Sequence, residues 1–147
     1  MSTAMQSATL RAATLQDHST LVTMIATMAQ ESEGQQLDIA VLRQGVARVL
    51  QEPRWGQYWL LTFQDTPQPV GCLLLTWEWS DWNNKPYAWI QSVYIQASYR
   101  GQGLWETMLA QLKAQLACHA VAELRLYVDE HNLRAIRAYQ KTGFQPS

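Results

Sequence analysis

The sequence predicts a mixed α/β layered fold, of the α+β kind, with the element order β-α-α-β-β-β-α-β-α. Three observations carry this. The hydrophobic period switches along the chain between helical spacing and strict alternation. Capping and breaking residues stand at the switches. In the middle of the chain, a strand runs through a glycine-containing loop straight into a helix. The 147 residues carry no internal repeat, linker or low-complexity stretch, so residues 1–147 are read as one domain around one core.

The elements follow in order. Thr9 to Ala13 reads as a short first strand. Thr14 and Asp17 form a capping box with Asp in place of the usual Glu or Gln. Leu21, Val22, Ile25, Met28 and Ala29 then recur at helical spacing up to a stop near Gly34. Asp38 caps a second helix with Leu42, Val46, Val49 and Leu50 on its inner face, and Glu52-Pro53 ends it. Tyr58 to Phe63, Val70 to Trp79 and Tyr87 to Ile95 are rich in strand formers. They are separated by turn signals at Asp65-Thr66-Pro67 and Asn83-Asn84, and read as an antiparallel meander. After Tyr99 to Gly103, Leu104, Met108, Leu109, Leu112 and Leu116 line one face of a helix. Glu123 to Val128 alternates, with Leu124, Leu126 and Val128 on one side. Asn132 caps a last helix that buries Ala135, Ile136 and Tyr139, and Gly143 suits its C′ position.

Composition excludes several classes. Hydrophobic residues make up 48% and charged residues 16%, which is ordinary for a globular chain and unlike a disordered one. The formal net charge of -1 offers no field for a polyanion. The nearest basic cluster, Arg134, Arg137 and Lys141, reads as a solvated helix face, so no nucleic-acid partner is expected. Cys72 and Cys118 are too far apart in sequence for a CxxC pair, and His18, His119 and His131 lack ligand spacing. Neither a disulfide nor a metal site is expected. The N-terminal MSTAMQSATL has no basic flank and no apolar core, and no apolar run approaches ~20 residues. The expectation is a cytoplasmic protein with no membrane partner.

The chemistry is concentrated in Val93-Tyr94-Ile95-Gln96-Ala97-Ser98-Tyr99-Arg100-Gly101-Gln102-Gly103-Leu104. The first amides of a helix have no intrahelical acceptor, and the helix dipole adds partial positive charge there. Glycine removes the Cβ that would keep a ligand from the backbone. The combination is a cradle for a phosphate or diphosphate, to which Arg100 can add a charge-assisted hydrogen bond. In isolation, Gly101 and Gly103 read as a plain turn. The spacing matches neither GxxxxGK[ST] nor the dinucleotide GxGxxG.

With its flanks, this stretch resembles the signature of the GNAT acetyltransferases, [R/Q]-x-x-G-x-[G/A] after an apolar strand. Arg100 and Gly103 match its first and fourth positions, Gly101 matches a further glycine common there, and Val93-Tyr94-Ile95 matches the strand. A second family pattern, V-x-x-x-N-x-x-A-x-x-x-Y-x-x-x-G-F, is met by Val128, Asn132, Ala135, Tyr139, Gly143 and Phe144. The resemblance runs from about Thr9 to the C-terminus. It implies a GNAT-like N-acetyltransferase domain that transfers the acetyl group of acetyl-coenzyme A to a primary amine by direct attack in a ternary complex. The acceptor is a small molecule or a protein amine. The strand residues Val93, Tyr94 and Ile95 would bond the pantetheine arm. The amides of Arg100, Gly101, Gln102, Gly103, Leu104 and Trp105 would hold the diphosphate. Asn132 would contact the cofactor, and Tyr139 would protonate the departing thiolate.

An attacking amine must be neutral, and a carboxylate can take its proton. Glu78 is the first candidate for that base and Asp81 the second. Packing and solvent-exposure readings stand beside these: Tyr139 as an inner-face ring, Glu78 on an edge, and Asn132 as a cap alone. Of the seven tryptophans, the crowded Trp77, Trp79, Trp82 and Trp89 are expected to pack in the core and hairpin, with an aromatic wall beside the acceptor as the sharper alternative.

The sequence departs from the family pattern in three places. Ala97 stands where proline is usual, and Trp105 where glycine or alanine is usual. The Trp105 side chain is expected to pack outward over the first helical turn, leaving its amide free. Family members usually continue with another strand after the position of Phe144. That terminal strand is expected to be short or missing here, and a homodimer is one way to cover the edge left open. A non-catalytic acyl-coenzyme A-binding module acting through a protein partner is the alternative to an enzyme.

Overall fold

The computed structural model describes residues 7–147. The reading of the N-terminus as leader-free falls largely on residues 1–6, outside the described residues. The strands are β1 (Ala8–Ala12), β2 (Gln57–Phe63), β3 (Gly71–Ser80), β4 (Lys85–Ile95) and β5 (Glu123–Leu126). The helices are α1 (His18–Glu33), α2 (Ile39–Gln51), α3 (Leu104–Leu116) and α4 (Leu133–Lys141). Short 3-10 turns precede α1 and follow β4. The strands form one sheet in the order β1-β2-β3-β4-β5, antiparallel except for the parallel β4–β5 pair. This is the expected element order and the α+β fold class.

The caps work as the residue types dictate. The Asp17 carboxylate accepts from the Thr14 amide at 2.8 Å and from both terminal nitrogens of Arg11 at 2.9 Å. Asp38 accepts from the amides of Ala40 and Val41 at the start of α2. Gly34 closes α1 in the left-handed region, its amide bonded to carbonyls of the last turn.

The core has two layers, one on each sheet face. Leu10, Leu61, Leu73, Leu75, Ala88 and Ile90 pack against Leu104, Met108, Leu112 and Leu116 of α3. Tyr58, Leu60, Cys72 and Tyr94 pack against Leu21, Val22 and Met24 of α1 and Val46 of α2. The Gln111 side chain of α3 accepts from the Leu10 amide and donates to the Ala8 carbonyl. Backbone groups of β1 that no strand pairs are thereby satisfied.

Three expectations need correction. β5 stops at Leu126, two residues short of Val128, because its partner strand turns away beyond Ile90. The last helix fully buries none of its residues; Ala135, Ile136 and Tyr139 are half-buried. The tryptophans of the β3–β4 hairpin do not fill the core: Trp79 is 63% and Trp82 95% exposed.

Candidate active site

The site begins with one extra residue in β4. The β3–β4 register runs Leu74↔Ser92 and then Leu75↔Ile90, so Gln91 is bulged out of the ladder. A bulge bends its strand and increases the local twist. On the other side of β4, pairing with β5 ends at the same place, Ile90↔Leu126. From Gln91 to Ile95, the β5-facing edge of β4 therefore has no strand partner among the described residues. Past that point the gap beside β4 is bordered by the unpaired main chain of Val93, Tyr94 and Ile95.

The gap leads to the loop that starts α3. Gly101 and Gly103 have φ of 79° and 75°, the left-handed region that favours glycine. A Cβ on Gly101 would meet no atom within 4 Å, so this backbone stands open to a ligand. Gly103 is the N-cap of α3 and no side chain caps the helix. The Arg100 amide is already bonded to the Ala97 carbonyl at 3.2 Å. The amides of Gly101 to Trp105 carry no such bond among the described residues, and they are the donors the loop can offer an anion. The residues present fit a diphosphate.

Arg100 is committed elsewhere than to that cradle. Its Nε donates to the Ile95 carbonyl at 2.7 Å, and a terminal nitrogen bonds Glu31 Oε1 at 2.6 Å. Its guanidinium lies 5.6 Å from the centroid of the Tyr94 ring. Glu31 was not singled out from the sequence. The one available signal was its place three residues after Met28, on the same face of α1. Met28, Glu31 and Ser32 form one wall of a cleft of about 290 Å³ whose other wall is Val93 to Ile95 with Arg100.

Asn132 caps α4, accepting from the Ala135 amide at 3.1 Å. One turn beyond Ala135, Tyr139 is half-buried, and burial raises its phenol above the ordinary tyrosine value. No hydrogen bond to its hydroxyl is made among the described residues. The Trp105 ring lies against it, 5.3 Å between centroids and 69° between planes, with Phe144 completing the cluster. Trp105 does not cover the first turn of α3. It reaches across to α4, where its Nε1 donates to Thr142 Oγ1 at 3.1 Å.

Glu78 is not gathered with these groups. It lies on β3 opposite Tyr87 and accepts from Trp89 Nε1 at 2.6 Å. By strand alternation it shares the face of β3 that carries Cys72, whereas Trp105 and Phe144 belong to the layer on the opposite face. Tyr139 and Glu78 therefore flank opposite faces of the sheet. Around Glu78, Trp89 stacks on Tyr127 at 4.6 Å and the Arg125 guanidinium sits 3.6 Å over the Tyr87 ring. Asp81 sits exposed in the hairpin turn. The cysteines are free, and burial pushes the Cys72 thiol up to about 12, which leaves it no thiolate character at neutral pH. Among the described residues no cluster of three His, Cys, Asp or Glu side chains could hold a metal ion, and no helix is long and apolar enough to cross a membrane.

Comparisons with known proteins bear on the family and the fold. Residues 23–144 match the acetyltransferase (GNAT) family. Among solved structures, a possible acetyltransferase from Clostridium difficile 630 superposes with a TM-score of 0.87 at 32% identity, over 95% of this chain and 91% of that one. An aminoglycoside N-acetyltransferase in complex with CoA shares the fold, with a TM-score of 0.77 at 11% identity, over 97% of this chain and 90% of the other. Among curated proteins, the spermine/spermidine N(1)-acetyltransferase of Bacillus subtilis (strain 168) is 35% identical over 69 residues. That match spans less than half of either chain, 46% of this one and 45% of the relative.

Proposed function

The chain belongs to the acetyltransferase (GNAT) family, and on that premise we propose that it transfers the acetyl group of acetyl-coenzyme A to a primary amine by direct attack in a ternary complex. The observation that carries this reading is the gap between β4 and β5, walled by unpaired strand backbone and closed at one end by the free amides of Gly101 to Trp105.

Each part of the chain has a task in this reading. The main chain of Val93, Tyr94 and Ile95 bonds the pantetheine arm as a neighbouring strand would, and the loop amides hold the diphosphate. Arg100 ties this loop to Ile95 and to Glu31 on α1, so it acts first on the shape of the cradle. Asn132 sets the start of α4 and lies toward the cofactor. Acetyl-coenzyme A supplies an activated acyl thioester. Glu78, directly or through a water, takes a proton from the ammonium form of the acceptor on its face of the sheet. Tyr139, a phenol protonated at neutral pH and pushed further above its ordinary value by burial, gives the proton on its Oη to the departing thiolate on the other face. A main-chain amide of the diverging strand β4 supports the carbonyl oxygen as it gains charge.

For the acceptor, a small amine of the polyamine class is favoured. The support is the part-length match to a relative that acts on spermine and spermidine, together with Glu78 beside the half-buried ring of Trp89 and the exposed ring of Tyr127, on which a cationic chain can lie.

The test is thiol release from acetyl-coenzyme A with a panel of amines that includes spermidine and spermine, alongside calorimetry with free coenzyme A. The expected result is amine-dependent release and a binding heat. Tyr139→Phe should lower kcat by about 100-fold, whereas Arg100→Ala should chiefly raise the KM for acetyl-coenzyme A. No binding heat with free or acylated coenzyme would overturn the whole reading. Tight binding with no amine-dependent release would favour a non-catalytic acyl-coenzyme A-binding module.

A further inference from the structure

Trp105 occupies two functional regions at once. Its main chain is the second residue of α3, within the row of free amides that begins at Gly101. Its side chain belongs to α4. The indole N–H donates to Thr142 Oγ1 at 3.1 Å, and that hydroxyl lies 3.0 Å from the carbonyls of both Ala138 and Tyr139. The indole ring meets Tyr139 nearly edge-on, and Phe144 packs on both rings, 6.4 Å from Trp105 and 6.0 Å from Tyr139.

The Tyr139 hydroxyl makes no hydrogen bond among the described residues, so only packing fixes the direction of its ring. α4 supplies little of that packing, since none of its residues is fully buried. The ring is held by its two aromatic neighbours, and of these only Trp105 is also part of the anion-binding loop. A glycine or alanine at this position, as the family pattern has it, could not make this contact.

We infer that Trp105 is a positioning residue, which aims the Tyr139 hydroxyl and links its aim to the filling of the diphosphate cradle. The inference rests on the reading of Tyr139 as proton donor. Seating a diphosphate on the amides of α3 fixes the backbone of Trp105. The indole and its Thr142 bond carry that constraint to the last turns of α4 and to the phenol. Misplacing a catalytic group by about 1 Å can cost up to about 100-fold in rate, so a ring that steers Tyr139 affects turnover without touching substrate.

The experiment combines Trp105→Leu, Trp105→Phe and Thr142→Val with Tyr139→Phe, reading kcat and the KM for acetyl-coenzyme A separately. Trp105→Leu is expected to lower kcat about tenfold while the KM changes less than about threefold. Trp105→Phe, which keeps a ring, should recover most of that loss. Thr142→Val, which keeps the side chain's shape but removes the indole's acceptor together with the hydroxyl's own bond to the last carbonyls of α4, should cost about threefold in kcat. In the Tyr139→Phe background, Trp105→Leu should cost nothing further, because the group it aims is gone. An equal further loss in that background would mean a merely structural role and would overturn the inference, as would an unchanged kcat in Trp105→Leu. If Trp105→Leu does not fold, Trp105→Phe and Thr142→Val in both backgrounds decide the matter by the same comparison. Full activity of Tyr139→Phe alone is a separate result: it removes the proton-donor reading, and the inference with it.

Discussion

The two sides of β4 differ sharply. Toward β3 it is laddered from Lys85 to Ile95, interrupted only at Gln91. Toward β5 it is paired over four residues and then open. The elements beyond follow the same division. α3 buries Leu104, Met108, Leu109, Leu112 and Leu116, whereas α4 buries none of its residues and β5 has no fully buried side chain. The closed side holds the fold, and the open side carries the surfaces proposed to meet the ligand. Backbone already paired in a sheet cannot receive a pantetheine arm. A site of this design must withhold some strand pairing, and it withholds it where the core depends on it least.

Substitutions can sharpen or break this comparison. The largest expected effect is in the closed half. Leu75, fully buried between β3 and α3, should cost about 3 kcal/mol of unfolding free energy on change to alanine. Leu126→Ala at the rim of the gap should cost about 1 kcal/mol. Urea unfolding measures both, and equal losses would erase the distinction between the sides.

A smaller effect is expected at Asp17. Its carboxyl is held below the usual carboxylate range, first by the Arg11 hydrogen bond and then by the Thr14 amide, against the opposing effect of burial. A carboxylate lowered on folding adds stability at any pH above its unfolded value near 4. That contribution is lost as pH falls through the lower folded value. Asp17→Asn should cost about 1 kcal/mol at pH 7 and leave less acid sensitivity below pH ~4. An unchanged acid profile would show that the shift is not what stabilises this corner.

Gly101→Ala should be as mild in stability as Asp17→Asn and the most selective in function. Its cost comes from the φ of 79° alone, since a Cβ there meets nothing, and amounts to about 1 kcal/mol. The same methyl group stands on the surface offered to the diphosphate, so calorimetry should show weakened coenzyme A binding. Undiminished affinity would place the diphosphate elsewhere.

Much of this organisation is legible in the sequence, because local rules write it. Thr14 with Asp17, Asp38, Gly34 and Asn132 mark helix ends by their own chemistry. The alternation of Leu73 and Leu75, or the helical spacing of Leu104, Met108 and Leu112, needs no distant information. The two left-handed glycines at the start of α3 are legible for the same reason. What escaped depends on partners far away in the chain. The ion pair of Arg100 with Glu31 spans 69 residues and the Trp105–Thr142 bond 37. Gln111 serves β1 from more than 100 residues away. The early end of β5 coincides with a bulge in another strand. Residue type predicts packing for Trp79 and Trp82, yet a hairpin tip has no layer above it to receive them.

Gln91 also sets the phase of everything after it. Ala88 and Ile90 face α3, and so do Val93 and Ile95, three steps on from Ile90 where simple alternation would require an even number. Removing this single residue would restore the even count, so Val93 and Ile95 would still face α3 and Tyr94 the other layer, but without the bulge and the bend that comes with it. A one-residue deletion here should therefore spare the core and straighten β4, whereas inserting one residue would turn Val93 and Ile95 away from α3.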